Sequence, residues 1–395
     1  MLRNKKRVLH AIFLFLFVVG ISFVFAAYQP ANPQHNAHGK HNNQDTTESW
    51  EIEVLEEEYN AGKMIIEHII DSHEWHLATI GHTHITIPLP VILIHDGKLH
   101  AFWSSKFQHG HSSYKGFRIE TEGEYKGKIV KYPEYNYLDE EIVHVEKEAG
   151  KKKVELPVDL SITKNVAAIF ISIIILCWIF ISVAKRYRKR KGEAPKGLQS
   201  FVEPLIIFIR DDIAKAAIGE KKYERYLPFL LTLFFFIFLN NLLGLVPFFP
   251  GGANVTGNIA VTGILALFTF VIVTFSANKY YWKHIFNTPG VPIWLKLPIP
   301  IMPVVELMGI FTKPFVLMVR LFANITAGHI IILGFISLIF IFGNMQWGIG
   351  LGASLISVPF AIFMGLLELL VAFIQAYVFT LLSALYFGMA IEEHH

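Results

Sequence analysis

The chain contains long apolar runs from about Val166 to its C-terminus, and several are close to the roughly 20 residues that cross a bilayer. Of its 395 residues, 53% are hydrophobic and only 17% are charged, so these runs are not offset by polar surface. The pattern excludes an ordinary soluble fold for this part of the chain. It predicts an all-α polytopic membrane protein with about five membrane helices and an interfacial helix, preceded by a region that reads as soluble.

The apolar runs place the membrane helices in order along the chain. The predicted spans are 165–184, 226–249, 259–278, about 301–342 and 350–391. Seven Lys and Arg residues between 185 and 196 mark the cytoplasmic end of the first span by the positive-inside rule. The C-terminus is then cytoplasmic. Stretch 198–219 mixes apolar and charged residues, which predicts an interfacial amphipathic helix. The last two runs exceed the length of a perpendicular span, which predicts tilted or kinked helices.

Residues 1–27 have the pattern of a signal peptide. Four basic residues lie between 3 and 7, an apolar core follows, and the small residues Ala26 and Ala27 end the segment. The alternative is an uncleaved first transmembrane helix. Both interpretations place the following segment outside the cytoplasm, in agreement with the basic cluster after the first span.

Residues 28–160 are predicted to form an exported, histidine-rich and partly β-stranded segment. Fourteen of the 18 histidines lie before residue 160, and apolar and polar residues alternate in "HITIPLPVILI" and "KLHAFW" around a "DG" turn. Metal binding is one interpretation of the histidines, and a solvated surface that binds nothing specific is the other. The histidine spacings match no closed zinc site, and the single cysteine, Cys177, lies in an apolar run. We therefore predict no metal site.

Polar residues within the run at 301–342 fall near one helical stripe. Glu306, Lys313 and Arg320 are seven residues apart, and Asn324 follows Arg320 by four, whereas His329 points to the other side. A charge at the bilayer centre costs about 2.5–3.5 kcal/mol on insertion scales. Such residues therefore mark ion pathways or paired counter-ions by default.

The last run carries a second polar stripe formed by Glu368, Gln375 and Tyr386. Simpler roles exist, because Glu306 could lie in the interface, and Asn324 and Gln375 could join helices at about 0.6 kcal/mol each. Arginine keeps its proton in proteins and acts as a fixed charge, whereas His329 and Glu368 can take up and release protons. This combination suits a device that moves protons without leakage.

Several ordered motifs resemble subunit a of the F-type ATP synthase, over roughly 164–391. The first is "RLFANITAG" at 320–328, with "PIPIMPVVELMGIFTKPF" upstream. The others are "NNLLGLVPFFPGGANVTGNIAVT" at 240–262 and "ELLVAFIQAYVFTLL" at 368–382. The resemblance assigns 161–395 as a membrane domain of this type, in a bacterial inner membrane.

The resemblance implies a stator subunit beside a rotating ring of c subunits, with two offset aqueous half-channels. Arg320 matches the stator arginine, Gln375 and Asn324 match polar positions near it, and Glu306 matches an acidic channel position. The implied partners are the c-ring, the b subunits of the peripheral stalk, the lipid bilayer and protons. No cofactor and no nucleic acid are expected. The sequence has no P-loop, so nucleotide chemistry is expected on other subunits.

Two features depart from the family pattern. Many members carry an acidic residue where this chain has His329, and histidine where it has Glu368. The simplest interpretation is that the two side chains meet, so that either order supplies one acid and one imidazole. The exported N-terminal segment is the second departure.

Two other function classes are compatible with parts of the sequence. A stand-alone ion channel or transporter would also need polar residues within its membrane helices. A sensor with an exported metal-binding domain would use the membrane part as an anchor only, and an anchor does not need polar stripes in two long helices.

Overall fold

The computed structural model describes most of the chain after residue 60. The described residues are 61–80, 83–110, 112–120, 125, 127–131, 155–189, 193–246, 249–286 and 301–392. The signal peptide predicted for 1–27 and the polar stretch 28–60 lie outside them. The described residues fall into two compact units, each considered by itself. The first unit takes in 61–69, 78–85 and 327–367, and the second 70–77, 86–326 and 368–392.

Helices dominate the described residues. They are α1 (Ala61–Ile69), α2 (Lys164–Lys189), α3 (Leu198–Phe208), α4 (Tyr223–Leu245), α5 (Ile259–Ser276), α6 (Lys279–Phe286), α7 (Ile301–Met345) and α8 (Trp347–Ile391). Five of these, α2, α4, α5, α7 and α8, are long and apolar enough to cross a membrane. The prediction of about five membrane helices in a multi-pass protein is therefore confirmed.

Two helix boundaries differ from the sequence prediction. Helix α4 ends at Leu245 and not at 249, because Pro247 follows and forces Val246 into an extended conformation. Helices α7 and α8 are separated by Gln346 alone, where a longer break between 342 and 350 was predicted. A Cβ atom on Gly350 would lie 2.6 Å from the Cα atom of Gly343. The short connection therefore depends on glycine at 350.

The stretch predicted as an interfacial helix is helical almost throughout. Helix α3 continues through a π-helical segment, Ile209–Lys215, and a last α-helical turn, Ala216–Ile218. Gly219, with φ of 91°, ends the run in a conformation that glycine adopts without strain. Ile209 and Ile213 are fully buried, so the apolar face packs into the helical core.

The helical core of the second unit is built from α2, α3, α4, α5, α7, α8 and the π-helical segment. Phe234 of α4 makes an edge contact with Phe373 of α8, with ring centroids 5.8 Å apart. The buried face of α8 is rich in small residues, and Ala372 and Ala376 are fully buried. Small residues let membrane helices approach closely, and that packing supplies much of their association energy.

Hydrogen bonds hold the C-terminal end of α8 in place. The backbone N–H of Asn278 donates to Ala390 O at 3.0 Å, and its side-chain Nδ2 donates to Glu392 O at 2.8 Å. Lys222 Nζ donates to Ile391 O at 3.3 Å. These donors satisfy carbonyls that a helix end otherwise leaves unpaired.

The region before α2 contains short strands in three sheets, in agreement with the predicted β-rich segment. The strands are β1 (Glu74–Ile80), β2 (Thr83–Pro88), β3 (Pro90–His95), β4 (Lys98–Trp103), β5 (Phe117–Ile119), β6 (Ile129–Lys131) and β7 (Val158–Asp159). The sheets are β1-β2, β4-β3-β7 and β5-β6. The predicted "DG" turn joins β3 to β4, and both Asp96 and Gly97 have positive φ, as a two-residue hairpin requires.

Hydrogen bonds attach this β region to the start of α2. Asp71 Oδ1 accepts from the backbone N–H of Asn165 at 3.0 Å, and the N–H of Lys164 donates to Ser72 O at 2.8 Å. A carboxylate at a helix N-terminus is also favoured by the helix dipole. His73 Nε2 lies 2.8 Å from Asp159 Oδ2. Burial would raise the pKa of Asp159, but the bonds from His73 and Ser161 outweigh burial and lower it.

Trp75 connects the β region to the segment between α4 and α5. Its ring meets Phe249 edge-on, with centroids 5.1 Å apart. Trp75 is buried together with Ala168 of α2 and with Ala253 and Val255 of that segment. The β region and the adjoining ends of these helices therefore share a small apolar core.

Candidate functional site

Helix α7 presents part of its polar stripe at the surface of the second unit. Arg320 and Asn324 are exposed, whereas Leu317, Leu321 and Ile325 on the adjoining side of the helix are 1%, 1% and 2% exposed. Among the described residues, the ion pairs do not include Arg320. The arginine therefore presents a permanent positive charge at an otherwise apolar helix surface.

Helix α7 is continuous through Pro314, so residues spaced seven apart stay on one polar stripe. Glu306 and Lys313 are half-buried on the turns before Arg320. At 1.5 Å per residue, Glu306 lies about 21 Å from Arg320 along the helix axis. The stripe therefore runs from the start of α7 to about the middle of the helix.

Residues of α6, α7 and α8 surround Tyr386. Lys313 Nζ lies 5.6 Å from the centroid of its ring, and Arg320 is close enough to act on it electrostatically. Tyr386, Lys313 and Tyr281 line a small pocket together with Thr269 of α5. Burial raises the pKa of Tyr281 on α6, and the negative charge of Glu306 raises it further. Tyr281 is therefore a neutral hydroxyl beside Glu306.

Helix α8 carries its polar residues on its buried face. Glu368 is 4% exposed and Gln375 is 7% exposed, and they share this face with the fully buried Ala372 and Ala376. The predicted partner of Glu368, His329, is half-buried and belongs to the first unit, so their pairing stays a prediction.

Two residues that the sequence analysis did not assign to the site lie beside this buried face. Asn241 of α4 donates from Nδ2 to Ala372 O at 3.1 Å, and Thr256 donates from Oγ1 to Asn241 Oδ1 at 2.6 Å. Ala372 follows Glu368 by one helical turn. These two hydrogen bonds connect the segment before α5 to α8 through Asn241. The two adjacent asparagines at 240 and 241, inside an apolar run, are the sequence feature that could have indicated a buried polar site here.

Two further buried polar atoms occur in the same part of the fold. Asn240 Oδ1 and Asn254 Nδ2 are buried and have no hydrogen-bond partner among the described residues. The other ends of both amides are bonded, Asn240 Nδ2 to Phe236 O and Asn254 Oδ1 to the N–H of Gly257. Buried polar atoms of this kind are usually satisfied by water. The region around Asn241 is therefore suited to hold water within the helical core.

Potential metal ligands are spread out along the part of the chain that the structure describes. Within its described ranges, no group of three or more His, Cys, Asp or Glu residues could hold a metal ion. The prediction that the protein binds no metal stays a prediction, because many of the N-terminal histidines lie outside these ranges.

Comparisons with known proteins agree with the helical part of the structure. A family model described as "ATP synthase A chain" matches residues 166–388, more than half of the chain. A second model, described as "Domain of unknown function (DUF8433)", matches residues 64–160, which contain the strands.

Curated relatives give the same result. ATP synthase subunit a of Chloroherpeton thalassium is 47% identical over 244 residues, which cover 60% of this chain and 69% of the relative. ATP synthase subunit a 2 of Chlorobaculum tepidum is 48% identical over 238 residues, or 59% of this chain and 64% of the relative. These relatives are membrane-sector subunits, and the catalytic chemistry lies on other subunits. The chain belongs to the family of subunit a of the F-type ATP synthase.

Proposed function

We propose that this protein is the proton-translocating stator subunit of an F-type ATP synthase, in which two half-channels and a fixed arginine couple proton flow to rotation of the c-ring. The observation that carries the proposal is the different placement of polar residues on α7 and α8. Arg320 and Asn324 are exposed on α7, whereas Glu368 and Gln375 are buried on α8. An exposed charge can interact with a neighbouring subunit that moves past it, and buried polar groups can line a path for protons within the subunit.

Arg320 acts as the stator charge. It cannot release its proton, so it carries no proton current, and it attracts a ring carboxylate in the ionised form. The exposed position of Arg320 leaves its guanidinium accessible to a neighbouring subunit. By holding an ionised carboxylate, the arginine also prevents protons from passing directly between the two half-channels. Asn324, one turn further on, supplies a polar neighbour.

The outer half-channel runs past Glu368 and Gln375. The supporting observations are the Asn241–Thr256 bond beside α8 and the buried amide atoms of Asn240 and Asn254. Water at these atoms would carry protons to Glu368, and His329 would exchange protons with that carboxyl. The segment between α4 and α5 lies at the outer surface, because the basic residues after α2 fix the orientation.

The cytoplasmic half-channel runs past the start of α7. Glu306, Tyr281, Lys313 and Tyr386 supply the polar groups there, and three of them line one pocket. The basic helix α6 is on the same side, as expected for a cytoplasmic surface. In this proposal the two polar regions open to opposite sides of the membrane, and Arg320 keeps them apart.

The cycle follows from these positions. A proton enters one half-channel and neutralises a ring carboxylate, which can then pass through lipid without the cost of burying a charge. After nearly a full turn the carboxyl meets the other half-channel, ionises and is drawn to Arg320. The membrane potential supplies about 2.3 kcal/mol per charge for each 100 mV.

The assembly implied by this role is multi-subunit and lies in a bacterial inner membrane. The c-ring is the moving partner, and the b subunits of the peripheral stalk hold the stator in place. Helices α7 and α8 are tilted along the ring. The segment before α2 is exported, and the C-terminus is cytoplasmic.

Reconstitution distinguishes this role from that of a stand-alone channel or transporter. The purified chain is placed in liposomes alone, with the c-ring, and with the complete complex. We expect proton flux only when the ring is present, and ATP-driven pumping only with the complete complex. Proton conduction by the chain alone would contradict the proposal and support the channel.

A further inference from the structure

The sheet β4-β3-β7 has one face that is turned away from the core of the β region, here called its outer face. This face is apolar at every position. In antiparallel sheets, directly paired residues share a face, and faces alternate along each strand. Backbone bonds extend β7 beyond its assigned end, because Leu160 N donates to Ile92 O and Ile162 N donates to Pro90 O. Row by row, the outer face therefore consists of Leu99, Ile94 and Val158; Ala101, Ile92 and Leu160; and Trp103, Pro90 and Ile162.

The large side chains of this face are exposed. Leu99 is 67% exposed, Val158 59%, Trp103 57% and Leu160 56%. Single exposed apolar residues are ordinary, but a contiguous group on one sheet face usually marks an interaction site. An antiparallel sheet with one face in water normally alternates apolar and polar residues, and no charged residue interrupts these three rows.

The core of the β region lies on the opposite side of the sheet. Val91 and Leu93 point to that side and are fully buried with Phe107, Phe117 and Ile129. The outer face is thus not needed to form the core, and its apolar residues require another explanation.

The position of the sheet indicates what covers this face. The extended strand ends at Ile162, and helix α2 begins at Lys164, so one residue, Thr163, separates the sheet from a membrane helix. The bonds from Asn165 to Asp71 and from Lys164 to Ser72 fix this junction. The sheet is therefore attached rigidly to the outer end of α2 and is not carried on a linker.

The row nearest the membrane helix has the composition of a membrane interface. Trp103 pairs with Pro90, which bonds to Ile162, so this exposed tryptophan lies at the level where the chain enters α2. Exposed Lys106 follows within the next turn. Tryptophan is enriched where membrane proteins meet lipid headgroups, and a long lysine side chain can extend from there to water.

We propose that this nine-residue face rests on the outer leaflet of the lipid bilayer, with the row of Trp103 deepest. The inference goes beyond the stator role and gives the exported region a membrane-bound position. A second protein surface could also cover an apolar face, but the one-residue connection to a lipid-exposed helix favours lipid.

Spin-label accessibility tests the proposal in the assembled complex in liposomes. Cys177, the chain's single cysteine, is replaced by serine, cysteines of the other subunits are removed, and single labels are placed by Leu99→Cys and by Ala101→Cys. Accessibility to oxygen, which concentrates in lipid, is compared with accessibility to a water-soluble nickel chelate. Native Cys177, exposed on α2, serves as the lipid reference. Lys128→Cys, on the layer that covers the opposite face, serves as the water reference.

We expect the labels at 99 and 101 to show high oxygen and low nickel accessibility, shifted from the value at 128 toward that at 177. Nickel accessibility equal to that at 128 would show that the face is in water. Low accessibility to both reagents would show that protein covers it. Either result overturns the proposal. ATP-driven pumping by each variant checks assembly, and either label site suffices if the other variant fails to assemble.

Discussion

Helices α7 and α8 are equally long and similarly apolar, yet Arg320 and Asn324 of α7 are exposed within the second unit, whereas Glu368 and Gln375 of α8 are buried there. Arg320 and Asn324 of α7 lie at the surface beside a buried row of Leu317, Leu321 and Ile325. Glu368 and Gln375 of α8 lie in the core. The difference suggests that one helix meets a partner and the other lines an internal path.

Energetics support this division. An arginine that faced only lipid would cost about 2.5–3.5 kcal/mol on insertion scales, so exposed Arg320 calls for a partner with a negative charge. Buried polar side chains within membrane helices mark ion pathways by default.

Replacing Arg320 is expected to have the largest effect. Arg320→Ala should abolish ATP-driven proton pumping in inverted vesicles, because the ring carboxylate loses its fixed counter-charge. Arg320→Lys should also fail, since lysine lacks the guanidinium fork and shifts its pKa readily when buried. Normal acidification of vesicles carrying the alanine variant would refute the stator assignment. Immunoblots for the c subunit in the purified complex control for assembly.

The second prediction concerns His329 and Glu368, whose residue types are exchanged relative to the family pattern. His329→Glu alone should place two carboxyls together, so that one stays protonated, and Glu368→His alone should remove the acid. The double change restores one acid and one imidazole. It should pump better than either single variant, with a coupling energy of about 0.5–3 kcal/mol, as for residues in contact. A double variant no better than the combined effects of the single changes would mean that the two residues act independently.

The third prediction tests the close packing of α8 in the core. A Cβ atom on Gly388 would lie 2.1 Å from Ala217 O, a backbone atom that cannot move aside easily. Gly388→Ala should lower the free energy of unfolding by about 1–3 kcal/mol, as overpacking does. Gly365→Ala is the matched control, because a Cβ atom there meets nothing within 4 Å. Thermal unfolding in detergent measures both variants, and equal midpoints would contradict the packing argument.

The smallest effect is expected for the hydrogen bond between Thr256 and Asn241, which lies beside the proposed outer half-channel. Thr256→Val keeps the shape of the side chain but leaves Asn241 Oδ1 without its donor, which should cost about 1 kcal/mol of stability. Thr256→Ser keeps the hydroxyl and should behave like the parent. Unfolding midpoints and ATP-driven pumping are measured together. If the valine variant matches the serine variant in both, the bond does not support the path.

Much of the helical fold could be predicted because apolar length is a strong signal. All five membrane helices were placed correctly, since a run of about 20 apolar residues has few alternatives. The errors lie at helix ends, where single residues decide. Pro247 ends α4 early, and the close approach at Gly343 and Gly350 shortens the connection of α7 to α8, a tertiary contact that periodicity does not report.

The site was less accessible from sequence. Helical spacing grouped Glu306, Arg320 and Asn324 on one stripe, but spacing does not tell which stripe faces outward. That information comes from the packing of Leu321 and its neighbours against the core. Asn241 and Thr256 are 15 residues apart, and their bond depends on how the segment before α5 folds back. The sequence could therefore suggest polar residues, but not which of them are joined.

Cross-linking tests most directly whether the polar face of α7 meets the ring. In a chain with Cys177→Ser, a cysteine is introduced by Asn324→Cys on the exposed face, or by Leu321→Cys on the buried face. The c subunit carries a cysteine one turn from its carboxylate. After mild oxidation of membranes, the account predicts a disulfide between the two subunits with Asn324→Cys and none with Leu321→Cys. Cross-linking through position 321 and not through 324 would contradict the account, because the buried face would then be the one that meets the ring.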